Sequence, residues 1–168
     1  MANINEGRWT AHIDGDFVVF IIGAKLRNPF RALKALPIMA KMPKMLKEIE
    51  AEPEHGLLGF QRHGGQFGVI VQYWRSFEAL ENYARNPKAE HAPVWRAWNR
   101  AAQHKNGSVG IWHETFRVPA GAYEAIYTNM ATIGLAKAGT AVTVEEAKYT
   151  ARARLGLTEP AALPVPSD

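Results

Sequence analysis

Phe17 to Ile22 is an unbroken apolar run, Phe-Val-Val-Phe-Ile-Ile. A strand with one wet face would carry a polar side chain at every second position, and this run carries none. It suits a central strand buried on both faces. It is too short to cross a bilayer. Trp9 to Ile13 precedes it, joined through Asp14-Gly15. That dipeptide accepts the positive φ angles of a tight turn, so the opening segment predicts a β-hairpin. One helix layer leaves the second face of such a strand uncovered. A second copy of the chain, pairing sheet to sheet in a homodimer, would supply the other cover.

Helical spacing of Ile38, Met42, Met45 and Ile49 predicts helix over residues 30–50, broken or kinked at Pro37 and Pro43. From Lys25 to Lys47 the chain carries seven cations and no acid. That is a solvated helix face or a surface for an anionic ligand or membrane. Pro53 to Gly56 reads as a turn. Leu57 to His63 and Phe67 to Trp74 read as two strands joined around Gly64-Gly65. Ser76 can cap a helix over Phe77 to Arg85, whose stripe would be Phe77, Leu80, Tyr83 and Ala84. Pro93 opens another helix, with Trp95, Trp98 and Ala102 on one face. Strands are expected at Ser108 to Val118 and Ala122 to Thr128, and a Gly- and Ala-rich loop over residues 129–141. Thr143 and Glu146 form a capping box for a last helix, Val144 to Leu155. The order is α+β, with antiparallel pairs and helices on one side, and its centre matches a ferredoxin-like unit. One domain is expected over residues 1–157, followed by a flexible tail over residues 158–168.

The 168 residues include no cysteine. Disulfides, thiolate nucleophiles, iron–sulfur clusters and thiolate-ligated haem are excluded. The net charge of +4 is mild and gives no signature of nucleic-acid binding. Residues 1–9 lack the apolar stretch of a signal peptide, so a cytoplasmic protein with no membrane span is expected. There is no Walker lysine loop and no dinucleotide fingerprint.

None of the six histidines falls in a short-range metal-binding pair. His91 stands at the mouth of the helix bearing Trp95 and Trp98. A helix N-terminus disfavours imidazolium, and a neutral imidazole can ligate a metal, act as a base, or be satisfied by nearby carbonyls. His113 lies mid-strand on the face of Val109 and Ile111, opposite Trp112 and Phe116. It would be a pocket acid/base or a buried histidine with one partner, while Glu114 points the other way. Tyr123 and Tyr127 alternate onto one strand face, as phenolic donors or core residues. His12, His55 and His63 read as turn or loop positions, and His104 as a helix end. A pocket between sheet and helices would be lined by Trp95, Trp98, Phe77, His113 and Tyr127.

The run from Tyr73-Trp74-Arg75-Ser76 through Phe77-Glu78-Ala79-Leu80 to Pro87 and His91 resembles the dimeric α+β barrel superfamily, the antibiotic-biosynthesis-monooxygenase-like group. There a strand ends in Trp-x-Ser, an amphipathic helix follows, and a histidine comes shortly after. Asp16 to Phe20, Gly56 to Gly59, Val109 to Thr115 and Tyr123 to Met130 are similar to one branch. That branch contains the fumagillin-pathway monooxygenase and is sometimes labelled phenylacetaldoxime-dehydratase-like. The resemblance covers Trp9 to Leu157. It implies a ferredoxin-like protomer whose sheet closes a barrel with a second protomer's.

Some members of the superfamily are oxygenases without metal or flavin; others bind haem, among them aldoxime dehydratases. If haem is the cofactor, the resemblance implies its iron on His91, with Trp74 at the motif position and Trp95 and Trp98 beside the group; a haem-free oxygenase is the other reading it leaves open. Haem degraders carry an asparagine on the first strand, and Phe17 to Ile22 has none, which argues against haem degradation. Three functions stand. The first is a haem-binding monooxygenase or aldoxime-dehydratase-like enzyme acting on a small apolar or aromatic substrate, with His113 and Tyr127 catalytic. The second is a cofactor-independent monooxygenase of an aromatic or polyketide-like substrate, with His113 or His91 as base. The third is a non-catalytic binder of a small apolar ligand.

Overall fold

The structure, a computed structural model, describes residues 4–26, 42–64, 68–86, 96, 109–147 and 150–158. In chain order the elements are β1 (Asn5–His12), β2 (Phe17–Leu26), α1 (Met42–Ala51), a 3-10 turn (Pro53–His55), β3 (Leu57–His63), β4 (Val69–Trp74), α2 (Phe77–Arg85), β5 (Val109–Val118), β6 (Tyr127–Met130), α3 (Gly134–Ala138), β7 (Thr140–Thr143) and α4 (Ala151–Arg154). They fall into two compact units, Asp16–Val118 and Met1–Gly15 with Pro119–Asp168.

The unit Asp16–Val118 is ferredoxin-like. Its elements run β2-α1-β3-β4-α2-β5, and its sheet has the order β3-β4-β2-β5, antiparallel throughout. β2 is the inner strand that its apolar sequence demands. It pairs with β5 from Phe17↔Val118 to Leu26↔Val109 and with β4 from Val18↔Trp74 to Gly23↔Val69. Alternation then assigns two faces. Val18, opposite Trp74, packs with Ile49 of α1 and Leu80 of α2, so the even positions of β2 face the helices. Odd positions face away from them.

Helix α2 begins where the sequence places it. Ser76 has extended backbone, and its hydroxyl accepts from the Ala79 N–H at 3.1 Å. Its buried stripe is narrower than expected. Leu80 is buried and Tyr83 half-buried, but Ala84 is exposed and Phe77 is 41% exposed. Phe77 is the first residue of the helix, before the stripe has turned onto the sheet. α1 buries Leu46 and Ile49. Pro43 sits in its first turn, where a missing N–H costs no helical bond, so it starts the helix rather than breaking it.

The second unit carries the sheet β6-β1-β7. The predicted β1–β2 hairpin is therefore wrong. β1 pairs with β6 and β7, and β2 belongs to the other sheet. Asp14-Gly15 links two units instead of closing a turn, although Gly15 does adopt positive φ. Residues 129–141 are not a loop: they hold α3 and the start of β7. The strand expected at Ala122 to Thr128 begins only at Tyr127. The Thr143–Glu146 capping box forms, with reciprocal bonds of 3.1 and 3.2 Å. It closes a turn, and the helix itself starts later, capped by Thr150.

Replacing Ser76 by Ala should cost about 1 kcal/mol. Replacing the wholly buried Trp74 by Ala should cost about 3–5 kcal/mol. Urea titrations of the two variants check both values, and equal losses would contradict the core assignment of Trp74.

Candidate functional site

On the helix side of the Asp16–Val118 sheet, β5 presents His113 and Thr115. They lie opposite Ile22 and Phe20 of β2. The His113 ring stands 5.5 Å from the Phe20 ring, tilted by 37°. This patch holds the exposed His113 and Thr115 beside the half-buried Phe20, with Ile22 buried beneath. His113 is exposed, not enclosed as a pocket residue should be. The cause is its strand: β5 is an edge of the sheet, with a neighbour on one side only.

Trp74 is 0% exposed. Its indole N–H donates to Gln72 Oε1 at 2.9 Å, and its ring lies 5.5 Å from Tyr83. Both polar groups of that contact are buried and satisfy each other. Trp74 therefore belongs to the core with Val18, Ile49 and Leu80. Tyr127 stands on β6, in the other sheet from His113. Its hydroxyl accepts from the Ala136 N–H at 3.3 Å. Tyr123 lies outside the strand, and its hydroxyl accepts from the Ile13 N–H at 2.7 Å. His91, Trp95, Trp98 and His104 lie outside the described residues. So does most of the basic segment, of which Lys25, Lys44 and Lys47 are described, Lys25 and Lys47 as exposed.

A cleft of about 580 Å³ opens beside the 3-10 turn and α2, lined by His55, Tyr83, Ser76, Glu78 and Asn82 among others. His55 Nε2 meets Glu52 Oε2 at 2.5 Å, and its ring is 5.9 Å from Tyr83. Reading His55 as a plain loop residue missed this pair. The signal was present: the spacing Glu52-x-x-His55 across Pro53 places both on one turn. Gly56 closes that turn at φ 77°, and its N–H bonds the Pro53 carbonyl at 2.9 Å. A Cβ there would stand 2.8 Å from the Ala79 side chain, so only glycine lets the turn lie against α2. The Glu78 carboxyl is held below its ordinary range. The first cause is a hydrogen bond from its own backbone N–H, the second is the Ser76 hydroxyl, and Arg117 adds less.

In the other unit a cleft of about 400 Å³ is lined by His12, Ile13, Asp14, Tyr123 and Arg154 among others. His12 Nε2 lies 3.0 Å from Asp14 Oδ1, and Arg154 pairs with Glu124. Among the described residues, no three or more His, Asp or Glu gather to hold a metal. None of the described helices is long and apolar enough to cross a membrane.

A family model described as Monooxygenase af470-like matches residues 17–135. The chain belongs to the monooxygenase af470-like family. The span matched contains the whole ferredoxin-like sheet with His113 and the His55 cleft, and it leaves out β1, β7 and α4. A curated relative, Monooxygenase af470 of Aspergillus fumigatus, is 31% identical over 150 residues. The match takes in 77% of this chain and 53% of the relative, so the chain spans about half the relative's length. Among solved structures, an aldoxime dehydratase in complex with butyraldoxime is similar with a TM-score of 0.50 at 13% identity, over 92% of this chain and 44% of that one. A second aldoxime dehydratase gives 0.45 at 14%. At that identity the first likeness is one of fold, and it agrees with the ferredoxin-like architecture.

Glu78 supplies a pH test of the cleft's hydrogen bonding. Its folded pKa is depressed, so its contribution to stability is present above the unfolded pKa and fades as pH falls through the folded one. A carboxyl-resolved NMR titration should place its midpoint below the usual glutamate range. In Ser76→Ala the midpoint should move up; no movement would remove Ser76 as a cause.

Proposed function

We propose that this protein is a monooxygenase acting on a small apolar or aromatic substrate, with His113 as the group that takes the substrate's proton. The observation that carries the reading is the position of His113: an imidazole against Phe20 on the helix side of a sheet that lies inside the family match. The half-buried Phe20 would give an aromatic substrate an apolar surface, and His113 would set a proton acceptor at its edge. Removing a proton from an electron-rich C–H or O–H leaves an anion that dioxygen can attack. The substrate itself then supplies the electrons: a methylene carbon keeps one oxygen atom as a carbonyl, and the second leaves as water. Tyr127 is proposed as a further phenolic donor, and a second copy of the chain as the cover of the sheet's other face.

Haem is a second reading, supported by the position of His91 after Trp74 and Ser76. The described residues do not by themselves fit a haem. His12 and His55 each have a ring nitrogen on a carboxylate, His63 ends a strand, and His113 is exposed. Trp74 packs in the core. The residues that would hold the group, His91, Trp95 and Trp98, lie outside the described ones, and no step above passes through it.

Oxygen uptake by purified protein on a panel of phenolic and polycyclic aromatic substrates tests the first reading. His113→Ala should lower kcat by about a hundredfold or more with the fold retained. An unchanged kcat would move the base elsewhere. A haem titration followed by absorbance on wild type, His91→Ala and His113→Ala tests the second. A Soret shift lost only in His91→Ala would make this a haem enzyme with that ligand.

A further inference from the structure

The face of the Asp16–Val118 sheet that points away from α1 and α2 is apolar over its inner strands, and the edge strand β3 adds Gln61 and His63 to it. β2 gives it Val19, Ile21 and Gly23, and β4 gives it Val69, Val71 and Tyr73. β5 adds Trp112 and Phe116, which are 39% and 49% exposed. Trp112 lies flat on the sheet because its cross-strand neighbour is Gly23. A Cβ on Gly23 would stand 2.7 Å from the Trp112 ring atoms. Two unlike charges interrupt this face along the β2–β5 pair. Glu114 stands opposite Ile21, between the two exposed aromatics, and Lys25 stands opposite Gly110. Both are exposed, and among the described residues neither has an ion-pair partner. Four residues of strand separate their rows, about 13 Å, and the Trp112 row lies between them.

We propose that a second copy of this chain docks on this face through two reciprocal ion pairs, Glu114 of each copy with Lys25 of the other, about a two-fold axis beside Trp112. This rests on the reading that a second copy covers the sheet. It adds which residues set the register of the two copies. A two-fold interface is self-complementary, so a residue at one place must meet its match at the place the axis carries it to. Glu114 and Lys25 flank the Gly23–Trp112 row at equal distance, which makes that row the centre. The Trp112 rings of the two copies then meet at the axis, on the flat ground that Gly23 provides. The apolar area supplies the driving force, and the charges exclude other registers, because a shift of two rows would bury both unpaired.

Self-association of the full chain is read by sedimentation over a concentration series, with circular dichroism confirming the fold of each variant. Wild type should dimerise. Glu114→Lys and Lys25→Glu should each raise the dissociation constant about tenfold or more. The double variant Glu114→Lys with Lys25→Glu should recover most of that loss, since the pairs are restored with signs exchanged. Trp112→Ala should weaken the dimer and leave the charge coupling in place. A wild-type dimer that neither single charge variant weakens, or single losses that add in the double, would overturn the ion pairs and leave the dimer standing. A wild type that is monomeric at every concentration would overturn the covered face as well.

Discussion

The register of β2 against its two neighbours is the constraint on which the Asp16–Val118 unit depends. β2 is bonded along its full length to β5 and over six positions to β4, with no irregularity in either ladder. A slip by one residue would exchange the faces of every side chain. Val18 would leave Ile49, Trp74 and Leu80, and Gly23 would no longer lie beneath Trp112. The same ladder settles what β5 shows to each side: His113 and Thr115 toward the helices, Trp112, Glu114 and Phe116 away from them. The candidate base and the candidate interface are thus consequences of one pairing. They cannot be moved independently.

Trp74 ties the strand floor to the cleft beside α2. Its ring packs on Tyr83, and Tyr83 packs on His55. The Arg75 N–H bonds the Gly56 carbonyl at 2.8 Å, so the end of β4 and the 3-10 turn are fixed to each other. Burying an indole would leave its N–H unpaired unless a partner is buried with it. Gln72, two residues earlier and on the same face, is that partner. Trp-x-Ser is therefore explained here by packing and capping. The tryptophan fills the core, and the serine starts the helix that covers it. A motif that marks a family can owe its spacing to the fold.

Much of this was legible in the sequence because it is local. Ser76 and the run after it carry a cap and a period, and α2 forms where they say. The apolar run of β2 announces an inner strand, and β3, β4 and β5 follow from their residues. What failed was long-range. Asp14-Gly15 has the chemistry of a hairpin turn, yet whether β1 pairs with β2 depends on what else competes for β1. β6 and β7, more than 100 residues away, compete successfully. β7 hid inside a Gly- and Ala-rich stretch because four residues, Thr140 to Thr143, carry too little pattern to read. The exposure of His113 depended on strand order, which periodicity does not encode, and Phe77 depended on where a helix first meets a sheet.

His12, His55 and His113 separate into two kinds, and the separation bears on which could take a proton from a substrate. His12 and His55 each present Nε2 to a carboxylate, Asp14 and Glu52. A ring held so has one nitrogen occupied, and its orientation is set by the acid. His113 has an aromatic ring beside it, and the acid next to it in sequence, Glu114, is on the opposite face. Strand alternation is what keeps that carboxylate away. A helix carrying the same His-Glu sequence would leave both on overlapping faces, and only the two-residue period of a strand puts them on opposite sides. The imidazole is thereby left exposed beside Phe20 on the helix side. The carboxylate is left on the other face, where its charge calls for a cation from outside the sheet.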